Sequence, residues 1–150
     1  MKRFLTAAAM ILLAAPALAD DDLVKVKASG DVGATMDALQ AAVEGAGATV
    51  FARVDHAGGA EGVGMELAPS QLLIFGNPKL GTPAMQQDAL AGLYLPLKVL
   101  VYQDGDGQVW LAYEDPKEML DELDGIDDDA EYIKKMTGAL GKLTDKAAGG

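Results

Sequence analysis

Two apolar segments joined by a turn-forming stretch constrain the fold of this chain most strongly. Leu97–Tyr102 and Val109–Tyr113 are rich in β-branched, aliphatic and aromatic residues, which are typical of strands. The stretch between them, Gln103–Gln108, contains two Asp-Gly pairs, and such pairs tolerate the positive φ that tight hairpin turns require. The sequence therefore predicts an antiparallel hairpin in the second half of the chain.

Both faces of this hairpin carry apolar side chains. Successive residues of a strand point to opposite faces, so Val99 and Val101 share one face while Leu100 and Tyr102 share the other. Each face then needs cover from another layer. We expect either helices on both sides, or helices on one side and a second copy of this chain on the other. The second arrangement is a homodimer.

The remaining elements predict a single α+β domain with a mainly antiparallel sheet packed against helices. Alternating or β-branched patterns predict three more strands, at Leu23–Lys27, Thr49–Val54 and Gln71–Phe75. Capping residues and apolar stripes predict helices after Asp31, over Pro83–Ala91, after Asp115, and over about 128–146 behind an Asp127–Asp129 cap. The Gly/Ala-rich stretch from His56 to Gly64 is either a loop or a short helix.

The N-terminus has the three parts of a secretory signal. Lys2 and Arg3 form a basic start, an apolar run from Phe4 to Ala15 follows, and Ala17-Leu18-Ala19 offers a small-x-small cleavage site. The apolar run is too short to serve as a membrane-spanning helix. We expect residues 1–19 to be a signal peptide, residues 20–150 to form the mature domain, and the mature protein to be periplasmic.

Composition excludes several classes of function. The chain has no cysteine, which removes thiol catalysis, thiolate metal sites and disulfides. Its formal net charge is −11. Nucleic acids and anionic membrane surfaces both attract basic proteins, so neither is an expected partner. The acidity itself is explained by solubility.

The junction at residues 75–87 is the best candidate for a site. Asn77-Pro78 favours a turn, and Thr82-Pro83 has the order of a helix cap followed by proline at the first helical position. Such a junction brings helix-start N–H groups close to the carboxamide of Asn77 and the ammonium of Lys79. This arrangement favours a small ligand, and Lys79 favours an anionic one. A turn with only a structural role is the equal alternative.

The only histidine, His56, follows a predicted strand. Because histidine titrates near neutral pH, His56 is a candidate general base or ligand, and a structural hydrogen bond is the alternative. An enzyme would combine His56 with Lys79 and Glu66, if the fold brought them together. No motif of a known catalytic centre occurs, so no catalytic residue is assigned and no cofactor is expected.

Metal binding is weakly supported by the sequence. A periplasmic copper(I) carrier could use the thioethers of Met65 and Met85 with His56. The acidic stretches at 104–107 and 121–131 do not follow the spacing of a calcium-binding EF-hand loop. We therefore expect no dedicated metal site, and the copper carrier remains an alternative.

Three segments together resemble the bacterial family catalogued as domain of unknown function 302. They are Val50–Ala57, Leu72–Gln86, and Leu95–Tyr102 together with Val109–Pro116. The resemblance covers about residues 24–123 and implies a small, dimeric α+β domain, but no reaction. Tyr94 stands where such sequences tend to carry an acidic residue before Leu-Pro-Leu. Any role that this acidic residue has in the family is therefore not assigned to this chain.

Together these observations predict a periplasmic, non-enzymatic binding module. We expect it to act as a homodimer and to hold a small, anionic ligand in a pocket formed by His56, Asn77, Lys79 and Glu66. The alternative to a binding module is an enzyme that uses His56 as a general base together with Lys79.

Overall fold

We describe residues 22–149 of the chain in a computed structural model, and the predicted signal peptide lies outside the described residues. The described part folds into one domain of five strands and six helices. The strands are β1 (Leu23–Lys27), β2 (Thr49–Asp55), β3 (Ser70–Gly76), β4 (Leu97–Gln103) and β5 (Val109–Glu114). The helices are α1 (Val32–Gly45), α2 (His56–Gly62), α3 (Pro78–Gln87), α4 (Ala91–Tyr94), α5 (Pro116–Asp121) and α6 (Glu131–Ala148).

All five strands form one antiparallel sheet in the order β1-β5-β4-β3-β2. The predicted hairpin is β4–β5, in which Leu100 pairs with Ala112 and Tyr102 with Trp110. Asp104 closes its turn, because the side-chain Oδ1 accepts hydrogen bonds from the backbone N–H groups of Asp106 and Gln108. The α+β class and the antiparallel sheet predicted from the sequence are thus confirmed.

One face of the sheet is packed against α1 and α6. The strand residues that point toward these helices are buried, among them Leu73, Val99, Val101 and Leu111, which are fully inaccessible. The helices contribute the other half of the core through their predicted apolar stripes, including Met36, Leu39, Met136 and Leu140. This layered arrangement is the ordinary way for one helical stripe and one sheet face to bury each other.

The opposite face of the central strands is only partly covered. Leu72, Ile74, Leu100, Tyr102 and Trp110 alternate with the buried residues and remain partly exposed. Helices therefore do not cover both faces of the central strands, although such cover was one of the two arrangements expected from the sequence. We call the surface formed by these residues the open face.

The start of α3 differs from the prediction. The helix begins at Pro78 rather than Pro83, because Asn77 is the N-cap and its Oδ1 accepts the backbone N–H of Lys79 at 3.0 Å. Asn77-Pro78 and Thr82-Pro83 both have the cap-then-proline pattern, and the first one forms the helix start. Thr82-Pro83 consequently lies inside the helix. The helix also ends earlier than predicted, at Gln87, because Asp88 has an extended backbone.

Two other helix boundaries complete the comparison with the sequence. The ambiguous stretch after β2 is a helix, α2, whose N-cap Asp55 accepts the backbone N–H of Gly58. The last helix starts at Glu131, three residues beyond the predicted start at 128. The side chain of Asp127 accepts the backbone N–H of Asp129 in a turn instead of capping α6.

Candidate functional site

The sheet has two ends, which differ in what they carry. At one end β2 begins, β3 finishes and β4 begins, since Thr49 pairs with Gly76 and Phe75 with Leu97. At the other end β2 finishes beside the start of β3, since Asp55 pairs with Gln71. We call these the cavity end and the groove end, after the depressions described below.

The register separates the residues that the sequence grouped into one pocket. His56 follows β2 at the groove end, whereas Asn77 and Lys79 follow β3 at the cavity end. At about 3.3 Å per strand residue, the length of β3 holds the two groups roughly 20 Å apart. The expected cleft shared by His56, Asn77 and Lys79 is therefore not formed. An acid–base pair of His56 and Lys79 is excluded by the same separation.

The groove end holds the remaining members of the predicted pocket. A shallow polar groove there is lined by Asp55, Ala57, Gly58, Glu61 and the segment 65–68, so Glu66 lies at the groove end and not near Lys79, and His56 is not among the residues that line the groove. Met65 belongs to this groove, while Met85 lines the cavity at the opposite end. The copper site that combined both thioethers with His56 is therefore wrong. Within residues 22–149 no cluster of three or more histidine, aspartate or glutamate side chains could hold a metal ion.

The cavity end contains a depression of about 480 Å³ with an apolar lining. Such a volume lies within the usual range of small-molecule pockets. One wall is formed by α6, through Met136, Ala139 and Leu143. The facing wall is α3, which contributes residues 78, 80–82 and 85. The lining is completed by residues 46, 48 and 51, by 75–77, and by 95–97.

Close contacts between backbone and rings shape the floor of the cavity. Gly76 lies beneath the ring of Phe51 and beside Pro96, and a Cβ at this position would be 3.3 Å from an atom of each. Glycine is therefore needed here for close approach rather than for a special φ. Phe51 itself is 58% exposed, which is unusual for a phenylalanine and places an apolar ring at the rim.

A hydrogen bond between side chains joins the two helical walls. The hydroxyl of Tyr132, near the start of α6, donates to Oε1 of Gln87 at the end of α3, with an oxygen–oxygen distance of 2.6 Å. Burial raises the pKa of Tyr132, so the hydroxyl keeps its proton at neutral pH and remains a donor. The bond links α3 to α6 one helical turn before the lining residue Met136.

The chemistry of the lining is that of a binding site. Its polar side chains are Asn77 and Thr82, and the Oδ1 of Asn77 is already used as the cap of α3. None of the lining residues titrates near neutral pH. Of the predicted site residues, Asn77 lines the cavity, and Lys79 lies between the lining residues Pro78 and Leu80 with its own side chain exposed.

Sequence reasoning missed the apolar wall of this site. With α3 starting at Pro78, residues 78, 82 and 85 fall on one helical stripe. That stripe could not be recognised while the helix was predicted to begin at Pro83. The contributions of Phe51, Leu95 and α6 depend on the tertiary fold, and no local pattern indicates them.

The comparison with family models identifies the chain's relatives. The model described as "Domain of unknown function DUF302" matches residues 24–143, which is most of the chain. The chain belongs to the DUF302 family. The match includes most of α6, beyond the residues 24–123 that the sequence resemblance covered.

A solved structure of a DUF302 protein has the same fold. The uncharacterised conserved DUF302 protein from Bacillus stearothermophilus matches with a TM-score of 0.75 over 85% of this chain and 98% of that one. The two sequences are 19% identical, so the likeness concerns the fold alone.

Curated relatives of the DUF302 chain are longer proteins. It is 40% identical over 131 residues to proteins named fluoride-specific ion channel FluC 1 from Brucella suis and from Brucella abortus. The match covers 87% of this chain but 51% and 48% of those two proteins. The chain thus spans about half the length of the curated relatives it matches. In the described residues, no helix has both the length and the apolar character needed to cross a membrane.

Proposed function

We propose that this chain is a periplasmic binding module that holds a small molecule with an apolar body in the cavity between α3 and α6. The observation that carries the proposal is the cavity itself, with about 480 Å³ of space and an apolar lining. Burial of apolar ligand surface contributes roughly 25 cal/mol per Å² before the costs of association. A site with these properties can bind an apolar group well and has few groups with which to transform it.

A titration with a neutral fluorescent probe tests the proposal. N-phenyl-1-naphthylamine is apolar and becomes bright when it leaves water, so saturable fluorescence with one probe per chain is the expected result. A rise in the thermal unfolding midpoint with probe concentration would accompany it, because a ligand that binds only the native state stabilises that state. Fluorescence that stays at the level of buffer, or that never saturates, would remove the proposal.

We further propose that the module acts as a homodimer through the open face. Strand register aligns Val54, Leu72, Leu100 and Ala112 in one row across four strands of this face. A solvated face of an antiparallel sheet usually carries polar residues, and a contiguous apolar row is instead typical of an interaction surface. Leu100 is partly exposed, so its replacement should spare the core.

Sedimentation analysis of the wild type and of Leu100→Glu tests the dimer. We expect the wild type to sediment as a dimer at micromolar concentration and the variant as a monomer, since a buried unpaired charge in an interface is costly. A wild type that stays monomeric throughout this range would contradict the proposal.

A second candidate function follows from the relatives named as fluoride-specific ion channels. We propose, as this second candidate, that the module acts together with a fluoride channel, because 87% of the chain matches about half of those proteins. Fluoride efflux from vesicles that carry such a channel should change when the purified module is added on the appropriate side. An unchanged efflux rate, with the module folded, would remove this candidate.

A further inference from the structure

The charges around the cavity do not follow the charge balance of the chain. Acidic residues outnumber lysine and arginine by 23 to 12. Yet every charged residue that directly neighbours a lining residue in the sequence is a lysine, and these are Lys79, Lys98, Lys135 and Lys142. In an acidic chain, the charged residues next to the cavity lining in the sequence are thus all positive.

Two of these four lysines are exposed, belong to the helices that form the walls of the cavity, and have no ion-pair partner within residues 22–149. Lys98 follows Leu97 on β4 and so points to the open face, away from the cavity. Lys135 forms an exposed ion pair with Glu131, with a nitrogen–oxygen distance of 3.5 Å. Lys79 and Lys142 are exposed and, within residues 22–149, take part in no ion pair. They lie on the two facing walls, α3 and α6.

The position of Lys142 on its helix brings it to the cavity wall. Lys142 follows Ala139 by three residues, so it shares a stripe with this lining residue, and it also precedes the lining residue Leu143. The nearest acids in the sequence are Glu44 and Asp145, each two residues from a lining residue. Glu44 accepts a hydrogen bond from the Nε2 of Gln40 on α1.

The properties of lysine suit a site with an apolar interior and a charged mouth. Its aliphatic stem can lie along apolar surface while the ammonium stays in water. An anionic group at the mouth could be contacted by both ammonium groups while the remainder of the ligand fills the cavity. A cationic head would instead be repelled by both lysines.

We propose that the ligand of the cavity is an anionic amphiphile, a hydrocarbon body that ends in one carboxylate or phosphate, with Lys79 and Lys142 binding the anionic head. This inference rests on the proposed function of the cavity and adds the ligand's charge and shape. A free fatty acid and an alkyl phosphate share this chemistry, and the experiment separates them.

Displacement of N-phenyl-1-naphthylamine by decyl compounds below their micellar concentrations tests the proposal. Decanoate, decyl phosphate, decanol and decyltrimethylammonium have the same tail and differ in the head. We expect the better of the two anions to displace the probe at about three- to tenfold lower concentration than decanol, the range expected for two exposed charge pairs. The cation should be the weakest. The order of decanoate and decyl phosphate then identifies the preferred head.

A pair of double variants separates the site from the overall charge. Lys79→Gln combined with Lys142→Gln should remove the preference for the anion and leave the affinity for decanol unchanged. Lys25→Gln combined with Lys117→Gln changes the net charge equally at two exposed residues remote from the lining in sequence, and it should keep the preference.

The outcomes distinguish the two proposals. If the probe binds but decanol equals both anions, or if both double variants lose the preference equally, the anionic amphiphile is wrong while the binding module stands. If neither the probe nor any decyl compound binds, the binding module itself is wrong.

Discussion

The two ends of the sheet each have a methionine, in opposite settings. At the cavity end, Met136 is 1% exposed and Ala139 lines an apolar space backed by the core. At the groove end, Met65 is 66% exposed and no residue of α2 is buried. The groove end nevertheless holds the only histidine and three acids, Asp55, Glu61 and Glu66. The titratable residues thus lie at the groove end, where little packing holds them in place. The well-packed cavity end carries apolar residues.

This difference explains why the cavity end is the better candidate site. A binding site needs side chains held in place by packing behind them, which α6 and the sheet supply to the cavity. The groove has polar groups, but its helix has no buried side chain to fix it.

The largest expected difference concerns stability. Met136→Ala should lower the free energy of unfolding by about 2–5 kcal/mol, because it removes a buried side chain from the core. Met65→Ala at the groove end should change it by no more than about 0.5 kcal/mol, since the side chain is exposed. Urea unfolding followed by circular dichroism measures both. Equal losses would mean that the groove end is packed as well as the cavity end.

The second difference concerns ligand affinity. Ala139→Trp should fill the cavity and weaken N-phenyl-1-naphthylamine binding at least tenfold, which corresponds to about 1.4 kcal/mol. Ala57→Trp introduces the same side chain into the groove and should leave the affinity unchanged. Circular dichroism and the unfolding midpoint serve as controls for folding. Loss of binding in Ala57→Trp alone would move the site to the groove end.

The third prediction concerns the pH dependence of the hairpin turn, which lies at the groove end. The indole N–H of Trp110 donates to Asp104 at 2.7 Å, and this bond, more than any other cause, lowers the pKa of the Asp104 carboxyl below 3.8. The pKa of Asp104 is lower in the folded protein than in the unfolded chain, so the ionised carboxylate stabilises the folded state. This stabilisation is fully present above the pKa of the unfolded chain and is lost as the pH falls through the pKa of the folded protein. Asp104→Asn should therefore lose less of its thermal stability between neutral pH and pH values below 3.8 than the wild type. Identical losses would show that this carboxylate contributes nothing.

The smallest expected effect is that of His56→Ala. Since His56 lies roughly 20 Å from the cavity end, probe affinity should stay within about twofold of the wild type. The same fluorescence titration measures it. A tenfold loss would restore the histidine to the site and contradict the separation of the two ends.

Sequence patterns predicted the sheet well because its signals are local. Alternation over β4 and β5 and the Asp-Gly turn between them are read within a few residues. The start of α3 was missed because two cap-and-proline pairs, at Asn77 and at Thr82, lie five positions apart and the later one is the predicted start. Asparagine is a better N-cap than threonine, and this local preference agrees with the start that the structure has at Asn77.

The candidate site was predicted in part. Asn77 does line the cavity, and Lys79 lies beside it in the sequence. His56 and Glu66 were grouped with them for their acid–base chemistry, and the antiparallel pairing of β2 with β3 places the end of β2 and the end of β3 at opposite ends of the sheet. Phe51 and Leu143 could not be found, since they meet the other lining residues only in the folded chain.

The strand order has a consequence for how the chain reaches this structure. β1 and β2 are consecutive in the sequence but occupy the two outer edges of the sheet, and β1 pairs with β5, where Leu23 meets Glu114. The pairing of β1 with β5 joins two segments that are far apart in the sequence, and contacts of long sequence separation slow folding. In a chain that ends before β5, the backbone N–H and C=O groups of β1 would lack their partner strand and could pair with strands of other molecules.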